Sequence, residues 1–191
     1  MMLFTTRHST QARAGVSLLE LTVVIAILSV ALGMHASTLV SLGRQRDVAR
    51  DSAEVSAAVQ NLLETIRGRP FELVASLFDS DPSNDPDGPG TAPGNRFAIE
   101  GFSPLDGAAD GLVGTILIPE RRLDDGSWQV REDLELPELG LPRDLNGDSI
   151  VDGLDHRGDL VRLPLRVRVD WRSRNGARSY SITTMLAQVR K

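Results

Sequence analysis

Cysteine is absent from the 191 residues. That excludes disulfide staples, iron–sulfur clusters, thiolate zinc sites, a cysteine nucleophile and a lipidated-cysteine anchor. Aromatic residues make up only 4% of the chain, so any core has to be built from Leu, Val, Ile and Ala. Three histidines, His8, His35 and His156, stand far apart, poor material for a histidine metal cluster or a His-based triad. Basic residues are outnumbered 21 to 26 by acidic ones, for a net charge of −5, which argues against nucleic acid as the main partner. No nucleophile motif, phosphate-cradling glycine loop or zinc set is present, and carboxylates without a defined separation are no sign of glycosidase chemistry. The chain therefore reads as a non-enzyme, with a length suited to one domain plus an attachment.

The charges are unevenly placed. Residues 1–15 carry Arg7 and Arg13 and no acid, so the rest of the chain is more acidic than the whole. From Leu21 to Gly43, 23 residues pass without an Asp, Glu, Lys or Arg. A helix needs about 20 apolar residues to cross a hydrocarbon core of ~30 Å. The basic side is expected in the cytoplasm and the acidic body outside. Glu20 interrupts the apolar run near its start, and a carboxylate inside a bilayer costs roughly 2.5–3.5 kcal/mol unless it has a partner or a purpose.

The string Arg13-Ala14-Gly15 followed by VSLLELTVVIAILSV, with Glu20 the fifth residue after Gly15, resembles the class III signal of type IV pilins and type II secretion pseudopilins. The resemblance implies cleavage after Gly15 by a prepilin peptidase and N-methylation of the new amino terminus at Val16. It also implies a role for Glu20 in assembly with neighbouring pilin or pseudopilin subunits, its carboxylate pairing with a buried ammonium so that each lowers the other's desolvation cost. Val16 stands where the family more often has phenylalanine or methionine, and the 15-residue leader is somewhat long. The implied setting is the bacterial inner membrane, with the bilayer and the assembly machinery as further partners. An ordinary secretory signal is the alternative. Ala31-Leu32-Gly33 offers small residues for signal peptidase and would leave Met34 as the mature terminus.

Val48, Val55, Val59, Leu62 and Ile66 fall near one helical face, and proline is absent until Pro70. One helix over 17–67 is expected, with Gly33 and Gly43 as soft points. Phe71–Phe78 reads as a short helix or turn, and Asp79–Gly94, rich in Pro, Gly and Asp, as a loop. Its Asp79, Asp81, Asp85 and Asp87 are either a solvated acidic turn or a weak metal site. Arg96–Glu100 is a short strand. Gly114–Pro119 and Ser127–Leu136 read as a hairpin about Asp125-Gly126. Val161–Trp171 alternates apolar residues with Arg162, Arg166 and Arg168, and Asn175-Gly176 turns the chain into a return strand through Tyr180 and Ile182. This last pair is also similar to the C-terminal end of minor pilins and minor pseudopilins. The arginines of this hairpin, with Arg172, Arg174 and Arg178, are either a solvated face or a contact for an acidic neighbour. The layout is α+β, a long helix on a small antiparallel sheet. It divides into a leader (1–15), a transmembrane half-helix (16–43) and an extracytoplasmic head (44–191).

Asp144, Asn146, Asp148, Ile150 (through its carbonyl), Asp152 and Asp155 occupy positions 1, 3, 5, 7, 9 and 12 of an EF-hand ligand scheme for Ca²⁺. The stretch looks like the loops of EF-hand and dockerin proteins. Ser149 replaces the usual glycine at position 6, and no amphipathic helix flanks the loop. Two functions are consistent with these features. One is a minor pilin or pseudopilin of a type IV pilus or type II secretion filament. The other is a secreted or membrane-tethered calcium-binding interaction module.

Overall fold

Between Leu18 and Arg67 no proline interrupts the chain. In the computed structural model, which describes residues 15, 17–105, 111–174 and 176–188, this stretch is a single 50-residue helix, α1 (Leu18–Arg67). At 1.5 Å per residue it is about 75 Å long. The helix is unbroken at Gly33 and Gly43, where an added Cβ would meet open space. The chain divides into two compact units between Arg46 and Asp47.

In the first unit the apolar side chains have no core to enter. Leu19, Ile27, Leu32 and Leu39 are each at least 60% exposed, and the helix is long and apolar enough to cross a membrane. Four of its hydroxyls are satisfied from within. Thr22 donates to the Leu19 carbonyl, Ser29 to Ile25, and Ser37 and Thr38 both to Met34, at 2.8–2.9 Å. Hydroxyls turned back on their own helix backbone suit a medium that offers no hydrogen bonds.

In the second unit the last turns of α1 bury Val55, Val59, Leu63 and Ile66, and α2 (Phe71–Phe78) adds Val74, Ala75 and Phe78. These side chains share one core with a four-stranded antiparallel sheet. Its strands are β1 (Arg96–Phe97), β2 (Gly114–Leu117), β5 (Arg162–Ser173) and β6 (Gly176–Ala187), in the order β1-β2-β5-β6. The period-two alternation of β5 places Leu163, Leu165, Val167, Val169 and Trp171 in the core, and Pro164, on the other parity, is buried as well. At the helix–sheet seam Ser56 Oγ and Tyr180 Oη lie 3.3 Å apart, and Ser173 donates to Asp51 at 2.8 Å. Arg162, Arg166, Arg168 and Arg172 take the other parity of β5. Arg166 donates to Ser181 and Arg168 pairs with Asp170. Arg178 differs, because its register opposite Trp171 assigns it to the inner face.

Two readings of the strands need correction. The Gly114–Leu117 strand does not form a hairpin with the run after Asp125-Gly126. It pairs with β5, Gly114 opposite Val169 and Leu117 opposite Arg166. Pro119 ends it, and the Glu120 N–H bonds the Ile118 carbonyl at 2.8 Å, a bend that sends the chain into a separate two-stranded sheet. There β3 (Glu120–Arg122) pairs with β4 (Trp128–Val130) around Asp125-Gly126. Gly114 is fixed by packing, since a Cβ there would overlap the Phe97 ring. The second correction concerns Gly176. It is a strand residue opposite Ser173, with φ of 109°, rather than the second residue of the turn. Asn175 lies outside the described residues.

Candidate functional site

Residues 1–14 and Val16 of the processing signal lie outside the described residues, while Gly15 is exposed. Ser17 caps α1: its Oγ accepts from the Glu20 N–H at 3.1 Å. Ser17-Leu18-Leu19-Glu20 is thus the start of a helix with serine at the cap and glutamate three residues on, a pattern legible in the sequence. Glu20 is exposed in the first turn, where its charge complements the positive end of the helix dipole.

The Asp144–Asp155 loop splits into two parts. In the first, Asp144 accepts from the backbone N–H of Gly147 and Ser149, Asn146 Oδ1 from Asp148, and Asp148 Oδ1 from Ile150. Those bonds, the Gly147 one above all, hold the Asp144 carboxyl below the usual carboxylate range. Ser149 has φ of 71°, the left-handed conformation for which glycine is favoured at this position. In the second part Asp152 still accepts from the Leu154 N–H at 2.8 Å, but the side chains also find partners outside the loop. Asp155 accepts from the Val130 and Arg157 N–H groups, and Asp152 turns to His156. The structure therefore groups Asp144, Asn146 and Asp148 in one turn and gives Asp152 and Asp155 other partners.

Asp152 belongs to a cluster around His156. Glu132 is fully buried; its Oε2 accepts from the Leu145 N–H at 2.7 Å and its Oε1 from the Asp152 N–H at 3.0 Å. His156 is 3% exposed, and its backbone N–H bonds the Val130 carbonyl. His156 Nε2 lies 3.1 Å from Asp152 Oδ1 and 3.5 Å from Glu132 Oε1. Nδ1 lies 3.2 Å from Asp159 Oδ1, and the Asn146 amide nitrogen is 3.4 Å from Nδ1 and 3.1 Å from Asp159 Oδ2. Burial pulls the His156 pKa down, but Asp152, Glu132 and Asp159 outweigh it and hold the ring above the ordinary histidine value. Among the described residues, Glu132, Asp152 and His156 are the group whose ligand atoms could hold a metal ion. Sequence reasoning set His156 aside for want of other histidines. A signal was nonetheless there: Glu132 shares the parity of Trp128, Val130, Leu134 and Leu136, so an acid sits on the apolar side of the run.

Asp79, Asp81 and Asp85 of the proline-rich loop are used structurally. Asp79, 3% exposed, accepts from Asp81 N–H and Asn84. Asp85 accepts from Ala92 N–H, and Asp81 caps the 3₁₀ turn Pro82–Asn84. Beside them Glu120 accepts from Ser80 N–H at 3.0 Å and from the Ser80 hydroxyl. Burial raises the Glu120 pKa despite those bonds. An acid with a raised folded pKa contributes stability that is complete below the unfolded value, about 4.3, and lost as pH rises through the folded value. Glu120→Gln is therefore expected to match the parent in melting temperature near pH 4 and to gain on it by roughly a few degrees as pH rises. A constant gap in melting scans from pH 4 to 8 would contradict this.

No protein-family model, curated protein or solved structure matches this chain.

Proposed function

We propose that the chain is a minor pilin or pseudopilin, a structural subunit of a membrane-anchored type IV pilus or type II secretion filament. The observation that carries this reading is the N-terminal segment: a basic leader, Gly15-Val16, and Glu20 at the head of an apolar helix that turns four of its hydroxyls back on its own backbone. In this reading a prepilin peptidase removes residues 1–15 and methylates Val16. The first half of α1 anchors the subunit in the inner membrane and packs with other subunits in the filament. Glu20 then answers the amino terminus of a neighbour, and the α+β head is displayed outside. The test is the mature amino terminus of protein recovered from the membrane. Val16 carrying one added methyl supports the proposal. Met34 makes the protein an ordinary exported domain instead.

We also propose that the turn at Asp144, Asn146, Asp148 and the Ile150 carbonyl takes Ca²⁺, a cation that favours such oxygen sets. The left-handed Ser149 supports this reading. Calorimetry of the full chain in detergent is expected to show Ca²⁺-dependent heat and a raised melting temperature. Neither effect at millimolar Ca²⁺ would end the idea.

A further inference from the structure

We infer that Glu132, Asp152 and His156 form a binding site for one divalent transition-metal ion of the zinc class, with Asp159 as a positioning residue. The inference does not depend on the filament reading, and its ligand set differs from the oxygen-only calcium turn.

The spacing of the donor atoms is the first argument. Tetrahedral bonds of about 2.0–2.2 Å to nitrogen and carboxylate oxygen place neighbouring donor atoms about 3.3–3.6 Å apart. Nε2 stands 3.1 Å from Asp152 Oδ1 and 3.5 Å from Glu132 Oε1, and all three donor atoms lie within 4.8 Å of one another. Charge-assisted hydrogen bonds contract to about 2.7–2.9 Å, so the contact to Glu132 is too long to be one. A single ring nitrogen has one proton or one lone pair, and here it faces two carboxylate oxygens at once. One cation between the three donors answers both.

The second argument is orientation. Metal-binding histidines usually donate their other ring N–H to a carboxylate, which fixes tautomer and ring plane. Asp159 lies 3.2 Å from Nδ1 and is itself held by the Asn146 amide. The carboxylate of Glu132 is fixed in turn by the Leu145 and Asp152 N–H groups. Burial is graded in the right sense. Glu132 and His156 are interior, whereas the side chains of Asp152 and Asp159 are 35% and 55% exposed, so an ion has a way in from solvent. An imidazole nitrogen among the donors favours zinc, cobalt or nickel over calcium and magnesium.

The test uses the full chain in detergent, stripped with chelator and titrated with Co²⁺, whose visible absorption reports low-coordinate N/O ligation. One equivalent is expected to bind with that absorption. Zn²⁺ is expected to displace it and, in large excess over its Kd, to raise the melting temperature by roughly several degrees. Millimolar Ca²⁺ should leave the band in place. Asp152→Asn, at a half-exposed position that should not compromise folding, and His156→Gln are expected to abolish the band. Asp159→Asn should weaken binding by about 10–100-fold while the band survives. Absence of both the band and the melting shift in the parent protein would overturn the inference and leave His156 as a hydrogen-bonding partner of Asp152 and Asp159. Undiminished Co²⁺ binding in His156→Gln and Asp152→Asn would overturn it as well.

Discussion

Replacing Ile66 with alanine is expected to cost the head about 2–5 kcal/mol, while the same change at Ile27 leaves head stability unchanged. Both are isoleucines of α1. Ile66 has no exposed surface and sits in the core with the strands of the sheet, whereas Ile27 is 65% exposed. Deleting the Ile66 methyls removes transfer free energy and opens a cavity that rigid neighbours cannot fully close. A domain of this size is stable by only about 5–15 kcal/mol, so the loss is a large share of the whole. With about 2–4 °C lost per kcal/mol, the melting temperature should fall by roughly 4–20 °C. The fluorescence of Trp128 and Trp171, both in the head, provides the readout in detergent. Equal losses at both positions would mean that the two halves of α1 do not have the separate duties assigned to them.

On the proposed filament reading, Glu20→Gln is expected to reduce entry of the subunit into filaments by more than tenfold while leaving membrane insertion intact or improved. The carboxylate costs roughly 2.5–3.5 kcal/mol in the bilayer, so its loss cannot hinder insertion. Glutamine also keeps the helix start, because a capping box accepts either glutamate or glutamine. A first-turn charge on the helix dipole is worth only about 0.3–1 kcal/mol, too little to account for a tenfold defect in most settings. The variant thus separates charge pairing from helix capping. Shearing filaments from cells and measuring the subunit in them against the amount in membranes reads the result. Normal incorporation of Glu20→Gln would reduce Glu20 to a capping residue and remove the assembly role.

The elements legible in the sequence were those written in local periodicity. Leu18–Arg67 has no proline and carries Val55, Val59 and Ile66 on one face, and Leu163 to Trp171 alternates except at the buried Pro164, so both formed where expected. Pairing was less legible, because it depends on distant partners. Gly114–Leu117 chose β5, some 50 residues on, over the neighbouring strand, a choice made by the bend at Ile118–Glu120 and the fit of Phe97 over Gly114. The His156 cluster was hidden for the same reason. Glu132 reaches it from 24 residues upstream, and the loop's ligand scheme gave no sign that Asp152 also faces His156 or that Asp155 also accepts from Val130.

The core described above joins helix residues 55–66 to strand residues 163–186. About 130 residues must be synthesised after the first contributor, Val55, before the last, Leu186, is made. At about 5–20 residues per second, the ribosome needs roughly 7–26 s for that interval. Throughout it the carboxy-terminal hairpin that closes the fold does not yet exist, so the order of synthesis delays completion of the core until nearly the whole chain has been made.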